Sequence, residues 1–222
     1  MTSIGYSAFS CCTSLTSIEL PDSLTRMAYY TFRNCTNLTT IKIPNGLTSI
    51  GYSVFSGCTS LTSIEFPNSL TSIGIYAFSK CTSLTSIKLP NALTSIGDYA
   101  FRDCTKLTTI EFPDSLTIIG NGTFSWCTNL KSIEILYGVT SIGDEVFHYC
   151  TSLTSIKLPT GLINIGEAAF LFCQKLTTIH YGDTMSQWEK IYKGYARDYY
   201  THNYTIYCTD GTIAKDGTIT PN

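Results

Sequence analysis

The chain has 222 residues, of which 43% are hydrophobic and 14% are charged, and its formal net charge is −2. This composition supports a packed core, and it argues against nucleic acid or an anionic membrane surface as a partner, because both require clustered Lys and Arg. No apolar run approaches the roughly 18 residues of a membrane-spanning helix, so membrane insertion is not expected, and no secretion signal is visible at the N-terminus.

A period of 23 residues runs through residues 1–184. It carries one column of cysteines, and columns of Phe, Leu and Ile with the same period begin at Phe9, Leu15 and Ile18. The cysteine column consists of Cys12, Cys35, Cys58, Cys81, Cys104, Cys127, Cys150 and Cys173. Eight units, called coils 1 to 8 below, fill residues 1–184 without insertion or deletion. Because one such unit cannot bury its hydrophobic face alone, the coils must stack.

Each coil predicts two short strands. The Leu-x-x-Ile-x-Leu string, as in residues 84–89, predicts a strand that pairs in parallel with its equivalents and ends before a proline such as Pro90. The Leu-Thr-Ser-Ile-Gly string, as in residues 93–97, predicts a second extended segment. A spacing of about 4.8 Å between coils predicts a stack of roughly 40 Å.

A turn is predicted between the second strand of a coil and the Cys column. We expect the glycines that begin this turn to supply positive φ, and we expect the stretch from them to the cysteine to form a tight turn or a single helical turn. The glycines are Gly5, Gly51, Gly74, Gly97, Gly120, Gly143 and Gly166.

The unit resembles the BspA-like class of bacterial leucine-rich repeats, whose Ala-Phe-x-x-Cys-x-x-Leu motif stands here at residues 77–84 as Ala-Phe-Ser-Lys-Cys-Thr-Ser-Leu. The match covers about four fifths of the chain. In place of the Asn found at the inward polar position of other leucine-rich repeat classes, this unit has Cys. The resemblance implies a leucine-rich repeat solenoid, mostly of short parallel β-strands and turns, from a surface-exposed or secreted adhesion protein.

Residues 185–222 leave the repeat and predict a small α+β C-terminal cap. Thr184 and Gln187 form a capping-box pattern for a short helix that ends near Gly194 and presents Met185, Trp188 and Ile191 on one face. The Asp-Gly pairs at 210–211 and 216–217 predict the turns of a β-meander. Trp-containing helices of this kind also accompany the BspA-like family.

No matching N-terminal cap is evident. This predicts that further repeats or another domain precede coil 1 in the parent protein. It also predicts possible self-association through the open first coil around Ile4, Phe9 and Leu15.

The cysteine column has two interpretations. Eight thiols in register resemble a metal or redox device, but zinc sites need convergent Cys pairs a few residues apart, so a buried ladder of thiols is favoured. Cys11, outside the column, is expected to be free and exposed, and Cys208 to pack in the cap. None of His148, His180 and His202 stands in a recognisable catalytic motif. We therefore expect no metal, no cofactor and no enzymatic activity.

The outward position of the predicted sheet carries charges that mostly alternate in sign along the stack. It reads Glu19, Lys42, Glu65, Lys88, Glu111, Glu134, Lys157 and His180. Pairing between neighbouring strands is the favoured role. Glu111 and Glu134 break the alternation, so a cation or a basic ligand group is an alternative there.

Aromatic residues concentrate at the variable turn positions. They are Tyr6, Tyr29, Tyr30, Tyr52, Tyr76, Tyr99, Trp126, His148, Tyr149 and Phe172. Tyr and Trp are favoured anchors of protein interfaces, and flat aromatic rings also suit sugars. Together with the family resemblance, which implies a surface-exposed or secreted protein, these residues predict a noncatalytic extracellular or cell-surface binding module for protein or glycan ligands. The alternative is a structural spacer of a larger surface protein with no ligand of its own.

Overall fold

The computed structural model describes residues 1–196, 198, 200, 201 and 203–222. Nearly all of its regular structure is short β-strand. In chain order the elements are β1 (Ser3–Ile4), β2 (Arg26–Met27), β3 (Thr40–Lys42), β4 (Ser49–Ile50), β5 (Ser63–Glu65), β6 (Ser72–Ile73), β7 (Ser86–Lys88), β8 (Ser95–Ile96), β9 (Thr109–Glu111), β10 (Ile118–Ile119), β11 (Ser132–Glu134), β12 (Ser141–Ile142), β13 (Ser155–Leu158), β14 (Asn164–Ile165), β15 (Thr178–Tyr181), α1 (Met185–Lys190), β16 (Tyr192–Lys193), β17 (Thr205–Cys208), β18 (Gly211–Ala214) and β19 (Ile219–Pro221).

The strands of successive coils pair in parallel, always with their own equivalents. Ser72 of β6 pairs with Ser95 of β8, and Ile133 of β11 pairs with Ile156 of β13. On the first side of the coils the ladders are β1–β2, β4–β6–β8–β10 and β12–β14–β16, and on the second side they are β3–β5, β7–β9 and β11–β13–β15–β17. The predicted repeat solenoid of short parallel strands is confirmed.

The core is a set of single-residue columns that run along the stack. Phenylalanine rings of successive coils lie nearly parallel, with centroids 5.5 Å apart for Phe32 and Phe55 and an angle of 1° between the ring planes. The Leu and Cys columns beside them are fully buried from Cys35 and Leu38 onward. Coils 2 to 8 thus bury their apolar residues against neighbours on both sides, and Phe9 and Leu15 of coil 1 pack half-buried against this core.

The glycine column has a different role from the one predicted. None of its seven glycines is among the positive-φ residues of the described chain. Instead, the coils approach too closely here for a side chain. A Cβ added at Gly97 would lie 2.8 Å from the Ile75 nitrogen and 2.9 Å from the Gly74 carbonyl carbon, whereas one added at Gly5 would meet nothing within 4 Å. The prediction of positive φ was wrong because it considered one coil without its neighbour.

Positive φ occurs instead at two other turn positions of every coil. The first holds Ser7, Tyr30, Ser53, Tyr76, Tyr99, Gly122, Glu145 and Ala168, and the second holds Cys11, Asn34, Gly57, Lys80, Asp103, Trp126, Tyr149 and Phe172. The residues between them form tight turns rather than a helical turn. Backbone N–H groups of the turn donate to the next coil, as from Phe32 to the Val54 oxygen at 2.9 Å. These bonds hold the left-handed residues in place.

The segment after residue 184 begins with the predicted short helix, but the helix ends at Lys190 rather than near Gly194, because Tyr192 and Lys193 join a strand ladder instead. The Thr184 side chain accepts a hydrogen bond from the Gln187 nitrogen at the start of α1, and Trp188 and Ile191 are buried. The chain then continues the solenoid: β16 pairs in parallel with β14, and β17 with β15. The antiparallel strands β18 and β19 complete the meander beside β17.

We predict that Gly97→Ala destabilises the chain by about 2 kcal/mol, since the new methyl group must push the backbone of coil 4 away. Gly5→Ala, in the same column but with open space around it, is the matched control and is expected to change stability by less than about 0.5 kcal/mol. Urea unfolding of both variants measures the difference. Equal effects of the two substitutions would contradict the steric explanation.

Candidate functional site

The turns between the glycine and cysteine columns form one continuous surface, which we call the turn face. Its first half carries a tyrosine ladder, defined as Tyr6, Tyr29, Tyr30, Tyr52, Tyr76 and Tyr99. The ring centroids of Tyr30 and Tyr52 lie 5.2 Å apart edge to face, and those of Tyr76 and Tyr99 lie 5.1 Å apart and stacked. Tyr6 and Tyr29 are 65% and 56% exposed, so the ladder presents aromatic surface to solvent.

The second half of the turn face carries a separate aromatic strip, made of Trp126, Tyr149, Phe172 and Tyr200. The centroids of Trp126 and Tyr149 lie 4.0 Å apart with nearly parallel planes, and Tyr149, Phe172 and Tyr200 continue the stack. His148 contacts this strip edge to face. The aromatic residues predicted from the sequence therefore form two clusters rather than one.

A groove of about 380 Å³ lies along the tyrosine ladder in coils 2 to 5. Tyr30, Tyr52 and Tyr76 line it together with the cations Arg33, Lys80 and Arg102. The sequence analysis missed these cations. Their spacing in the sequence could have indicated them, because Arg33 and Arg102 each stand three residues after a ladder tyrosine. In the structure their guanidinium carbons lie 5.3 and 5.7 Å from the ring centroids of Tyr30 and Tyr99. This is cation–π range.

Two hydroxyl groups of the ladder, those of Tyr30 and Tyr99, have a raised pKa. The pKa of Tyr30 is raised, first by loss of solvation and then by its hydrogen bond with Tyr52. Desolvation, followed by the nearby Glu145 carboxylate, raises the pKa of Tyr99. The hydroxyl groups of Tyr30 and Tyr99 therefore stay protonated and can donate hydrogen bonds.

A polar side-chain ladder, also missed from the sequence, follows the tyrosines on the turn face. The Asp98 carboxylate accepts a hydrogen bond from the Asn121 nitrogen at 2.7 Å, the Asn121 side-chain oxygen accepts from the Asp144 nitrogen at 2.9 Å, and Asp144 accepts from the Glu167 nitrogen at 2.7 Å. These side chains satisfy backbone donors between coils 5 and 8. They also make this half of the turn face acidic.

The structure places Glu111 and Glu134 on the exposed face of the second strand ladder, away from the aromatic residues of the turn face. Lys42 lies opposite Glu65 and Lys88 opposite Glu111, and the Lys157 amine lies 3.5 Å from the Glu134 carboxylate. The negative charge of Glu134 is thus partly neutralised by Lys157, which lies on the side away from Glu111. A cation or basic group at this acidic pair stays a prediction.

The cysteines of the column point into the core. The Cys58 thiol donates a hydrogen bond to the Phe32 carbonyl oxygen at 3.2 Å, and the same bond recurs from Cys35 to Cys173. All ten cysteines are free, and the described residues contain no group of three or more His, Cys, Asp or Glu arranged to hold a metal ion. Burial raises the pKa of Cys58 and Cys173 to about 12, so these thiols stay protonated.

The remaining predicted features lie apart from the turn-face groove. Cys11 is exposed and Cys208 is half-buried against the core. His180 lies on the strand face, and His202 lies outside the described residues. Ile4 is buried, and self-association through the first coil stays a prediction. In the described part of the chain, no helix has the length and apolarity needed to cross a bilayer.

Stacked coils of 23 residues, each with short parallel strands on two sides and a Phe-Cys-Leu core, define a leucine-rich repeat solenoid. Residues 2–127 and 71–193 match the family described as the BspA type leucine-rich repeat region, in six copies. The chain belongs to this family. A search of curated proteins finds no match.

Solved structures of bacterial leucine-rich repeat proteins resemble the chain. A leucine-rich repeat protein from Bacteroides ovatus is 32% identical with a TM-score of 0.73, and the alignment covers 90% of this chain and 56% of that one. The Treponema pallidum (T. pallidum) leucine-rich repeat protein is 31% identical with a TM-score of 0.68, covering 72% and 78%. The pneumococcal vaccine antigen PcpA, at 18% identity and a TM-score of 0.51 over 87% and 41%, shares the fold. The chain thus spans little more than half the length of the Bacteroides ovatus protein.

We predict that a water-soluble disulfide reagent modifies Cys11 of the native chain rapidly, because this thiol is exposed. The buried column from Cys35 to Cys173 should react only as fast as the chain unfolds, since reaction requires an accessible thiolate. Mass spectrometry of the labelled peptides measures this order. Rapid labelling of Cys81 or Cys127 in the native chain would contradict the buried ladder.

The free energy of unfolding is predicted to fall as pH rises above about 8.5, where thiols of the unfolded chain begin to ionise. Burial raises the pKa of Cys81, Cys127 and Cys150 well above the ordinary value, so the native chain keeps protons that the unfolded chain releases. The stabilisation of the native chain by these protonated thiols is complete below about pH 8.5 and is lost progressively as the pH rises above it. Urea titrations between pH 8 and 10 test this, and substitution of these three cysteines by Ala should make the dependence on pH shallower.

Proposed function

We propose that the chain is a noncatalytic binding module of a secreted or cell-surface protein and that the tyrosine ladder contacts its protein or glycan ligand. The observation that carries the proposal is the run of neighbouring, solvent-facing tyrosine rings along coils 1 to 5. The core needs no aromatic residue at either repeat position of the ladder, since Ser7 and Ser53 occupy the position of Tyr30, Tyr76 and Tyr99, and Ile75 and Asp98 occupy that of Tyr6, Tyr29 and Tyr52.

The fold supports this role because it holds the rings rigidly. Each turn donates backbone hydrogen bonds to the next coil, so a ligand meets rings that are already ordered. Tyr contributes a large contact area at low cost in side-chain entropy, which is why it is frequent in binding surfaces. An extended surface of this kind suits an extended ligand or a flat patch of a partner.

The proposed location at the cell surface is supported by membership of the BspA-type family, since resemblance to this family implies a surface-exposed or secreted protein. Absence of catalysis is supported by the same membership, because leucine-rich repeat proteins typically bind other molecules rather than transform them. The net charge of −2 supports partners other than nucleic acid.

A binding screen of the 222-residue chain against extracellular matrix proteins and immobilised glycans tests the proposal. The variant Tyr30→Asn, Tyr52→Ala, Tyr76→Asn removes the central rings, and Asn is chosen where φ is positive because it tolerates that conformation. We expect the variant to lose at least about tenfold in affinity, as hot-spot aromatic residues do on truncation.

The matched control replaces three exposed tyrosines that lie outside the turn face, namely Tyr137, Tyr192 and Tyr207, by Ala. It should bind like the parent chain. Equal binding by the ladder variant would move the ligand site to another surface, such as the charged strand face. No ligand in the whole screen would favour the structural spacer.

A further inference from the structure

We propose that the groove beside the tyrosine ladder binds an anionic glycan, that is, a sugar chain bearing carboxylate or sulfate groups. This inference rests on the proposed function and names the ligand class of the same surface. It is carried by the juxtaposition of three cations, Arg33, Lys80 and Arg102, with the rings of Tyr30, Tyr52 and Tyr76 in one groove.

The charge of the groove is opposite to that of the chain. Its charged lining residues are three cations and one anion, Asp103, which gives a local charge of +2 against −2 for the whole sequence. Asp103 is already engaged, because its carboxylate lies 3.4 Å from the Arg102 Nε. Arg33 and Lys80 are exposed and available to an anionic group.

The positions of the cations match an extended ligand. Arg33, Lys80 and Arg102 belong to coils 2, 4 and 5, so the two arginines are separated by about 14 Å along the stack at the spacing of paired strands. Each arginine lies against a ladder ring, which limits the orientations of its guanidinium group. A planar, fixed guanidinium is suited to bidentate contacts with a carboxylate or a sulfate.

The tyrosines supply the contacts that a sugar requires in addition to charge. Ring faces and edges offer apolar surface to the C–H groups of a pyranose, and neutral phenol groups donate hydrogen bonds to its oxygens. Asn34, Ser56 and Ser79 add short polar side chains along the floor and sides of the groove. A purely ionic site would not need this lining.

The turn face also limits where such a ligand can lie. From coil 5 onward the turn face carries the polar ladder of Asp98, Asn121 and Asp144, with Glu145 and Glu167 beside it. These carboxylates repel an anionic chain, so binding is confined to the half that contains the cations. The same asymmetry explains why the second aromatic strip is not assigned to this ligand.

The test measures equilibrium binding of the 222-residue chain to three polysaccharides at low salt. Hyaluronan carries carboxylates alone, heparin carries carboxylates and sulfates, and dextran is neutral. We expect binding to heparin or hyaluronan and none to dextran, with affinity falling as sodium chloride rises because salt screens exposed charges. Binding to both anionic chains identifies the carboxylate as sufficient, and binding to heparin alone identifies the sulfate.

The variant Arg33→Gln, Lys80→Gln, Arg102→Gln should weaken this binding by about tenfold or more. The matched control Lys42→Gln, Lys88→Gln, Lys157→Gln removes the same charge from the strand face and should change affinity by less than about twofold. Circular dichroism establishes that both variants fold. If the first variant is destabilised, the pair Arg33→Lys, Arg102→Lys keeps the charge but removes the planar guanidinium fork, and it is expected to weaken binding by several fold.

The inference is overturned if the chain binds neither heparin nor hyaluronan, or if it binds dextran as tightly as it binds them. It is also overturned if both triple variants weaken binding equally. The proposed binding module can be tested independently of the anionic glycan. If a protein ligand no longer binds the tyrosine variant but still binds the cation variant, the binding module is retained and the anionic glycan is rejected. If no ligand responds to the tyrosine variant, the tyrosine ladder itself is not the site.

Discussion

The structure depends on one constraint, which is that every coil has the same length. Parallel pairing places each residue beside its equivalent 23 positions later, as Ile50 beside Ile73 and Ile73 beside Ile96. An insertion of one residue would shift a whole coil and turn its inward side chains outward. The columns of Phe, Leu, Ile and Cys are the consequence, since a residue that packs well in one coil meets the same environment in the next.

This repetition also makes small local features collective. One glycine in a turn is unremarkable, but a column of glycines lets neighbouring backbones approach to distances at which a Cβ would clash. One buried thiol is a minor contact, whereas a column from Cys35 to Cys173 gives each coil a hydrogen bond to a carbonyl of the coil before it. The BspA-type repeat thus uses Cys where a side chain must be small, apolar and still able to donate weakly.

Residue identity can vary at turn positions where hydrogen bonds of the backbone, rather than packing of the side chain, maintain the fold. The two left-handed turn positions of each coil accept Ser, Tyr, Lys, Asp, Glu and Ala, because hydrogen bonds between coils hold their backbone. Side chains at these positions range from buried, as for Ser53 and Ala168, to exposed, as for Lys80, and they are free to differ. That freedom yields a turn face with tyrosines and cations in its first half and carboxylates and stacked aromatic rings in its second.

The sequence by itself determined the repeat, the parallel strands and the buried columns, because each follows from a period that is visible in eight copies, and the Thr184–Gln187 capping box determined the start of the short helix. It also identified the ladder tyrosines. Only the tertiary structure decided which turn residues share a groove, since Arg33, Lys80 and Arg102 belong to coils 2, 4 and 5 and line one surface only because the coils stack. It likewise separated Trp126 and Tyr149 from the tyrosines and reversed the role of the glycine column. In each case the deciding contact lies between coils, and a pattern read along one coil does not contain it.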